Sequence, residues 1–160
     1  MKLREPSGKE LAKLRAVADY QFERGVGEHL FPPTIKVMSS RGRIRQVWIG
    51  DEPLCAVRAS DGFIVLNRKG AEILHKVLPA RRLRVVVTEE VARAVRRGRT
   101  VFAKHVVEAD PEIRPAEEVL VVDVNGNLLA SGTAVLSGEE MKAFKEGKAV
   151  KVRRGQKDVS

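Results

Sequence analysis

The chain has 160 residues, 43% of them hydrophobic, and 30 Lys and Arg against 21 Asp and Glu give a formal charge of +9. That balance points to polyanionic partners rather than to a fold, and the length suits one large domain or two small ones. No apolar run approaches the roughly 20 residues that span a bilayer, no signal-peptide segment opens the chain, and a single cysteine, Cys55, excludes an intrachain disulfide and a cysteine-based metal cage. The expectation is a cytoplasmic protein with no membrane association and no cofactor.

Residues 1–9 are polar, contain Pro6 and Gly8, and predict a loose leader. Leu11, Leu14, Val17, Ala18 and Phe22 then keep a helical period over 10–22, with Arg15, Asp19 and Glu23 on the wet face. Gly25 and Gly27 stop this helix, and Leu30 and Phe31 form an apolar knot before Pro32 and Pro33 extend the chain. Strands are expected at 34–38, 43–49, 53–59 and 63–66, separated by turns at 39–42, 50–52 and 60–62. The alternation slips once within 43–49, which allows a bulge. A helix over 69–77 ends before Pro79. Helix, four antiparallel strands and helix make a small α+β domain over 10–78.

After a short linker at 78–82, residues 83–87 predict a strand. Thr88 is a good N-cap type, followed by Glu89 and Glu90 where carboxylates suit the helix dipole. Val91, Ala92 and Val95 give an apolar face, and Gly98 sits where a left-handed residue ends the helix. A strand carrying Lys104 should run from Val101 to Val107 and break at Ala109, Asp110 and Pro111. Strands at 119–123 and 128–134 flank Asn125-Gly126, the signal of a type I′ hairpin. Ser137 with Glu140 is a capping box that opens a helix through Met141 and Phe144 to Gly147, and 148–152 is the last strand. Residues 88–98 and 137–147 repeat one unit of cap, acids, apolar pair and glycine, which places two helices at comparable corners of a closed sheet of five or six strands.

Arg93, Arg96, Arg97, Arg99 and Lys104 gather around one helix end and the segment leaving it. Cations in the last turn of a helix also stabilise it through the dipole and need no ligand, so a structural role stays open for each arginine. For the group, in a basic chain, a phosphate backbone is the leading partner. Arg153 and Arg154 extend it, and Gly98 and Ala103 are small enough to let phosphates approach the backbone. Of Val101 and Phe102 strand alternation buries one, and Phe102 is the core residue if Val101 faces outward. Arg41, Arg43 and Arg45 form a second basic group near Trp48, with Arg43 and Arg45 on one face, which either extends an RNA surface or meets a protein. Scarce aromatics, 4%, argue against a broad stacking platform for single strands.

Catalytic chemistry finds little support. Cys55 lies in an alternating strand as a small hydrophobe, His29, His75 and His105 share no ligand spacing, and no GxGxxG or GxxxxGK[ST] loop occurs. Asp110 and Glu112 flank a proline in a turn, where acids organise backbone amides.

The stretches GRTVFAKHVVEAD, PEIRPAEEVLVVD, LLASGTAVLSGEEM and GKAVKVRRG resemble a PUA domain, in the version found at the C-terminus of archaeal archaeosine tRNA-guanine transglycosylases. The matching positions are Gly98, Val101, Phe102, Ala103, Ile113, Arg114, Pro115, Glu118, Val119, the Asn125-Gly126 hairpin, Gly132 and the run from Gly147 to Val152. RAVADYQFERGVGEHLFP, RGRIRQV and RASDGFIVL resemble the small domain that precedes PUA in those enzymes, so the resemblance covers about 11–154. It implies an α+β fold in which a pre-PUA domain at 10–78 is followed by a PUA-like mixed β-barrel with two short helices at 82–154. The family's catalytic barrel, with its aspartates and zinc site, has no counterpart in these 160 residues. The resemblance therefore implies a non-catalytic binder of structured RNA, with tRNA and its acceptor stem as the expected ligand, serving a separately encoded transglycosylase or other tRNA-modifying subunit. The alternatives are a protein-interaction subunit of an RNA-modification or ribosome-biogenesis complex with only generic RNA affinity, or an enzyme on RNA using Cys55 or Asp61.

Overall fold

Ser7 begins the first helix, and the reason is local. In the computed structural model, which describes residues 2–153 and 155, the Ser7 hydroxyl accepts the Glu10 N–H and the Glu10 carboxylate accepts the Ser7 N–H. This reciprocal capping box starts helix α1, Gly8–Gln21. The residues before it are not a loose leader. Arg4 exchanges both backbone hydrogen bonds with Val37, at 2.9 and 2.7 Å, and its guanidinium forks onto Glu10. A sheet edge left open would expose unpaired donors, and this segment covers part of one.

Residues 1–78 form one unit and 79–160 another. In the first, the apolar knot is a short helix, α2, Val26–Leu30, entered through Gly25 at φ +92°. Arg15 and Asp19, expected on the wet face of α1, instead hold α2: Arg15 Nε donates to the Phe31 carbonyl and the Asp19 carboxylate accepts the Gly27 N–H. An unpaired helix end nearby recruits polar side chains that periodicity alone assigns to water. Strands β1, Lys36–Ser40, β2, Arg43–Ile49, β3, Glu52–Val57, and β4, Ile64–Leu66, form an antiparallel meander in that order. Arg41 and Gly42 link β1 to β2 with both φ angles positive, +52° and +75°, the pattern of a type I′ turn. The expected bulge is present, since Met38 pairs with Gln46 but Ser39 pairs with Ile44, leaving Arg45 as the extra residue. Helix α3, Arg68–Val77, packs on β3, and Phe22, Leu30, Phe31, Ile35, Leu54, Leu66 and Leu74 fill the core.

The second unit contains β5, Arg84–Val87, helix α4, Ala92–Arg96, β6, Val101–Phe102, β7, Val106–Ala109, β8, Glu118–Val122, β9, Leu128–Ala134, helix α5, Gly138–Ala143, and β10, Lys148–Val152. The sheet order is β6-β10-β9-β8-β5-β7, with β5 parallel to β8 and the other pairs antiparallel. The edge strands β6 and β7 are joined by one tight turn, Ala103–His105, so the six strands curl into a nearly closed barrel. Strand β8 is buried along its whole length, and Leu83, Val85, Ile113, Leu120, Leu129 and Val150 pack inside. The chain is thus α+β, a small α+β unit followed by a mixed β-barrel.

Three local expectations change here. The helix over 88–98 is a single tight turn, Glu89–Val91, followed by the five-residue α4. Thr88 provides no side-chain cap, since its hydroxyl accepts no N–H and is buried without a partner, whereas Ser137 and Glu140 form the full capping box of α5. The strand over 101–107 is cut by the turn that closes the barrel, so Lys104 lies on that turn. The Asn125-Gly126 hairpin is not type I′, because only Gly126 has positive φ. Asp123 replaces that geometry: its carboxylate accepts the backbone N–H of Asn125 and of Asn127, which stabilises the loop from one side chain.

Candidate nucleic-acid interface

The end of α4 organises the basic cluster. Gly98 has φ +94°, its N–H donates to the Val95 carbonyl, and the Arg99 N–H reaches back to Ala94 at 3.1 Å. Those two bonds make a Schellman motif, which satisfies the helix-end carbonyls and demands a residue without Cβ at Gly98. Val95 points into the core while Arg93, Arg97 and Arg99 are exposed. Arg96 is half-buried, its Nε enclosed without a hydrogen-bond partner. The nearby Asp123 carboxyl is held below its ordinary range because, against the cost of its burial, hydrogen bonds from Asn127 and Asn125 and last the Arg96 charge favour the ionised form. The Arg96 carbonyl accepts the Gly155 N–H at 3.0 Å, so the segment after β10 returns to the end of α4. Sequence spacing gave no sign of that return.

The alternation of β6 takes the branch with Val101 inward and Phe102 outward. Val101 is 2% exposed and Phe102 41%, because the Ala103 N–H must reach the Gly147 carbonyl at 2.9 Å for β6 to dock beside β10. Ala103 is buried and Lys104 is exposed. His105 is half-buried, its Nδ1 3.5 Å from Glu90. Arg93, Arg96, Arg97, Arg99 and Lys104 form no ion pair among the described residues. Arg153 differs: its guanidinium binds the buried Glu118 carboxylate and lies 3.3 Å from the Ser131 hydroxyl, so much of its charge is neutralised. Arg154 lies outside the described residues.

In the first unit, Arg41 and Arg43 are exposed and Arg45 is half-buried at the bulge. Trp48 is half-buried, its indole N–H donating to the Gln46 amide at 3.0 Å. Cys55 is fully buried. The Asp61 carboxyl is held below its ordinary range by the Phe63 N–H and by Arg58. Asp110 accepts the N–H groups of Leu83 and Glu112 and so ties β5 to the 110–112 turn. Among the described residues no three His, Cys, Asp or Glu side chains gather as a metal cage, and no helix is long and apolar enough to cross a membrane.

Comparison with known proteins fits this architecture unit by unit. Residues 12–81 match the patch-forming domain C2 of tRNA-guanine transglycosylase, and residues 83–155 match the PUA domain. The tRNA-guanine(15) transglycosylase of Thermococcus kodakarensis is 49% identical over 140 residues, which is 88% of this chain and 24% of that enzyme. The chain therefore spans about a quarter of the length of such curated relatives. Among solved structures, a hypothetical protein from Pyrococcus horikoshii superposes with a TM-score of 0.74 at 26% identity, covering 95% of this chain and 93% of that one. A conserved PUA domain protein from Thermoplasma acidophilum shares the fold, with a TM-score of 0.69 at 22% identity over 95% of this chain and 92% of its own. The chain thus joins a unit that matches the patch-forming domain C2 to a unit that matches the PUA domain, and as a whole it resembles the C-terminal region of archaeal tRNA-guanine transglycosylases.

Proposed function

We propose that the protein binds structured RNA without catalysing its modification, that the ligand is the acceptor-stem end of tRNA, and that it serves a separately encoded tRNA-modifying enzyme in the cytoplasm. The observation that carries this reading is the clustering of Arg93, Arg97, Arg99 and Lys104, all exposed and without an ion pair among the described residues, around one tight helix end, whereas Arg4, Arg58 and Arg153 are each held by a carboxylate. Unpaired guanidinium groups around a tight helix end suit phosphate oxygens, which accept forked hydrogen bonds. Gly98 and the backbone of Ala103 leave room for that approach; Arg153, held by Glu118, is not counted among these free cations. Base contacts are few in such an arrangement, so selectivity comes from the shape of the stem and its end. The relatives named as tRNA-guanine(15) transglycosylases support tRNA as the ligand. Residues 10–78 and 82–154 are the working domains of this reading. Burial of Cys55 and the hydrogen bonds that occupy Asp61 give no support to catalysis by either.

The test is a titration of the purified protein with a full tRNA transcript and with one trimmed of its single-stranded 3′ end, at two salt concentrations. Each neutralised phosphate adds roughly 0.7–0.9 to the log–log salt slope, so four or five contacts give a slope of roughly −3 to −4.5. Loss of affinity on trimming, and on Arg93→Glu with Arg97→Glu, is expected. Equal weak binding to both transcripts would overturn the reading in favour of a protein-interaction subunit.

A further inference from the structure

A separate cleft of about 670 Å³ opens in the first unit, lined by α1, the start of β2 and the turn between β3 and β4. Lys13, Arg43, Arg45 and Arg58 contribute its cations, and Leu14, Val17, Ile44 and Val57 its apolar wall. The bulge at Arg45 lets three consecutive residues, Arg43, Ile44 and Arg45, line one cleft, which strict alternation would prevent. The acids at the cleft are already engaged. Glu10 is held by Arg4, and Asp61 by Arg58 through two hydrogen bonds of 3.1 and 2.8 Å. Lys13, Arg43 and Arg45 form no ion pair or side-chain hydrogen bond among the described residues. The free charge of the cleft is therefore positive.

Its aromatic end distinguishes nucleic acid from an acidic peptide. Phe63 lines the cleft, and Tyr20, one helical turn after Val17, lies beside it with ring centroids 6.3 Å apart. Tyr20 is the only tyrosine, and 81% of it is exposed. A ring left in water beside a cationic groove is a surface on which a base can stack, whereas an acidic peptide needs only the charges. We propose that this cleft binds a short single-stranded RNA segment, with phosphates on Lys13, Arg43 and Arg45 and a base on Tyr20 and Phe63. This site is distinct from the stem-binding surface proposed for the second unit.

The experiment uses the whole chain and a ten-nucleotide, fluorescein-labelled single-stranded oligoribonucleotide of mixed sequence carrying one 5-iodouridine, with ultraviolet crosslinks mapped by mass spectrometry. The expected crosslink falls on Tyr20 or Phe63. Tyr20→Ala should weaken binding roughly tenfold, the size of one base–aromatic stack. Its circular dichroism melt should not change, because the ring is exposed. Arg43→Glu with Arg45→Glu should abolish the crosslink independently. Crosslinks confined to residues 79–160 would overturn the proposal while leaving the stem-binding reading intact. Displacement of the oligonucleotide from Tyr20 by a polyglutamate peptide as effectively as by unlabelled RNA would also overturn it, in favour of an acidic protein segment.

Discussion

Arg4 and Glu10 are joined by two hydrogen bonds of 2.9 and 2.8 Å, and Glu10 also accepts the Ser7 N–H. Arg4 first, then that backbone N–H, lower the Glu10 carboxyl from its ordinary value of 4.5 to about 2. A carboxyl depressed in the folded state stabilises above its unfolded value and loses that contribution as pH falls through the folded one. The stabilisation from this pair should be complete above about pH 4.5 and fade between there and pH 2. Glu10→Gln removes it, so the gap in melting temperature between wild type and variant should be widest near neutrality and close over that acid window. A gap constant from pH 7 to pH 2 would show that the cap matters through its shape and not its charge.

At the level of elements, the echo between 88–98 and 137–147 survives at its ends and fails at its starts. Gly98 and Gly147 both have φ near +95°, and the strands after them, β6 and β10, pair with each other. The starts diverge because Ser137 keeps both capping hydrogen bonds and Thr88 keeps neither. Removing the Ser137 hydroxyl should cost about 1 kcal/mol, the usual worth of a side-chain cap. Thr88→Val, which replaces a buried, unpaired hydroxyl with a methyl group, should be neutral or stabilise by up to about 1 kcal/mol. Urea melts of Ser137→Ala and Thr88→Val would decide this, and equal losses in both would mean that Thr88 does cap.

For the molecule as a whole, charge is shared: 14 basic against 9 acidic side chains in residues 1–80, and 16 against 12 in residues 81–160. Neither half is a basic tail on a neutral body. Each unit has its own buried set, Phe22, Leu30, Phe31 and Leu74 in one, Leu83, Val85, Leu120 and Leu129 in the other. Domains with separate cores generally fold alone, so fragments 1–78 and 79–160 should each unfold cooperatively. A fragment that stays unfolded in isolation would show that its core is completed by the rest of the chain.

Much of this architecture was already legible in the sequence. The hydrophobic period of α1, the Ser137–Glu140 box, the glycine after α4, the slip at Arg45 and the PUA-like motifs all act through neighbours a few residues apart, where spacing and geometry are tied. What needed the tertiary structure depended on distant partners. Arg4 is ordered by Val37, Arg15 and Asp19 are drawn to α2, and Phe102 faces outward because Ala103 must reach Gly147. Arg153 is neutralised by Glu118. The cleft beside Tyr20 likewise draws on three segments that only folding brings together. Local periodicity encodes which face is apolar, but which cation stays free for a ligand depends on which carboxylate folding places beside it.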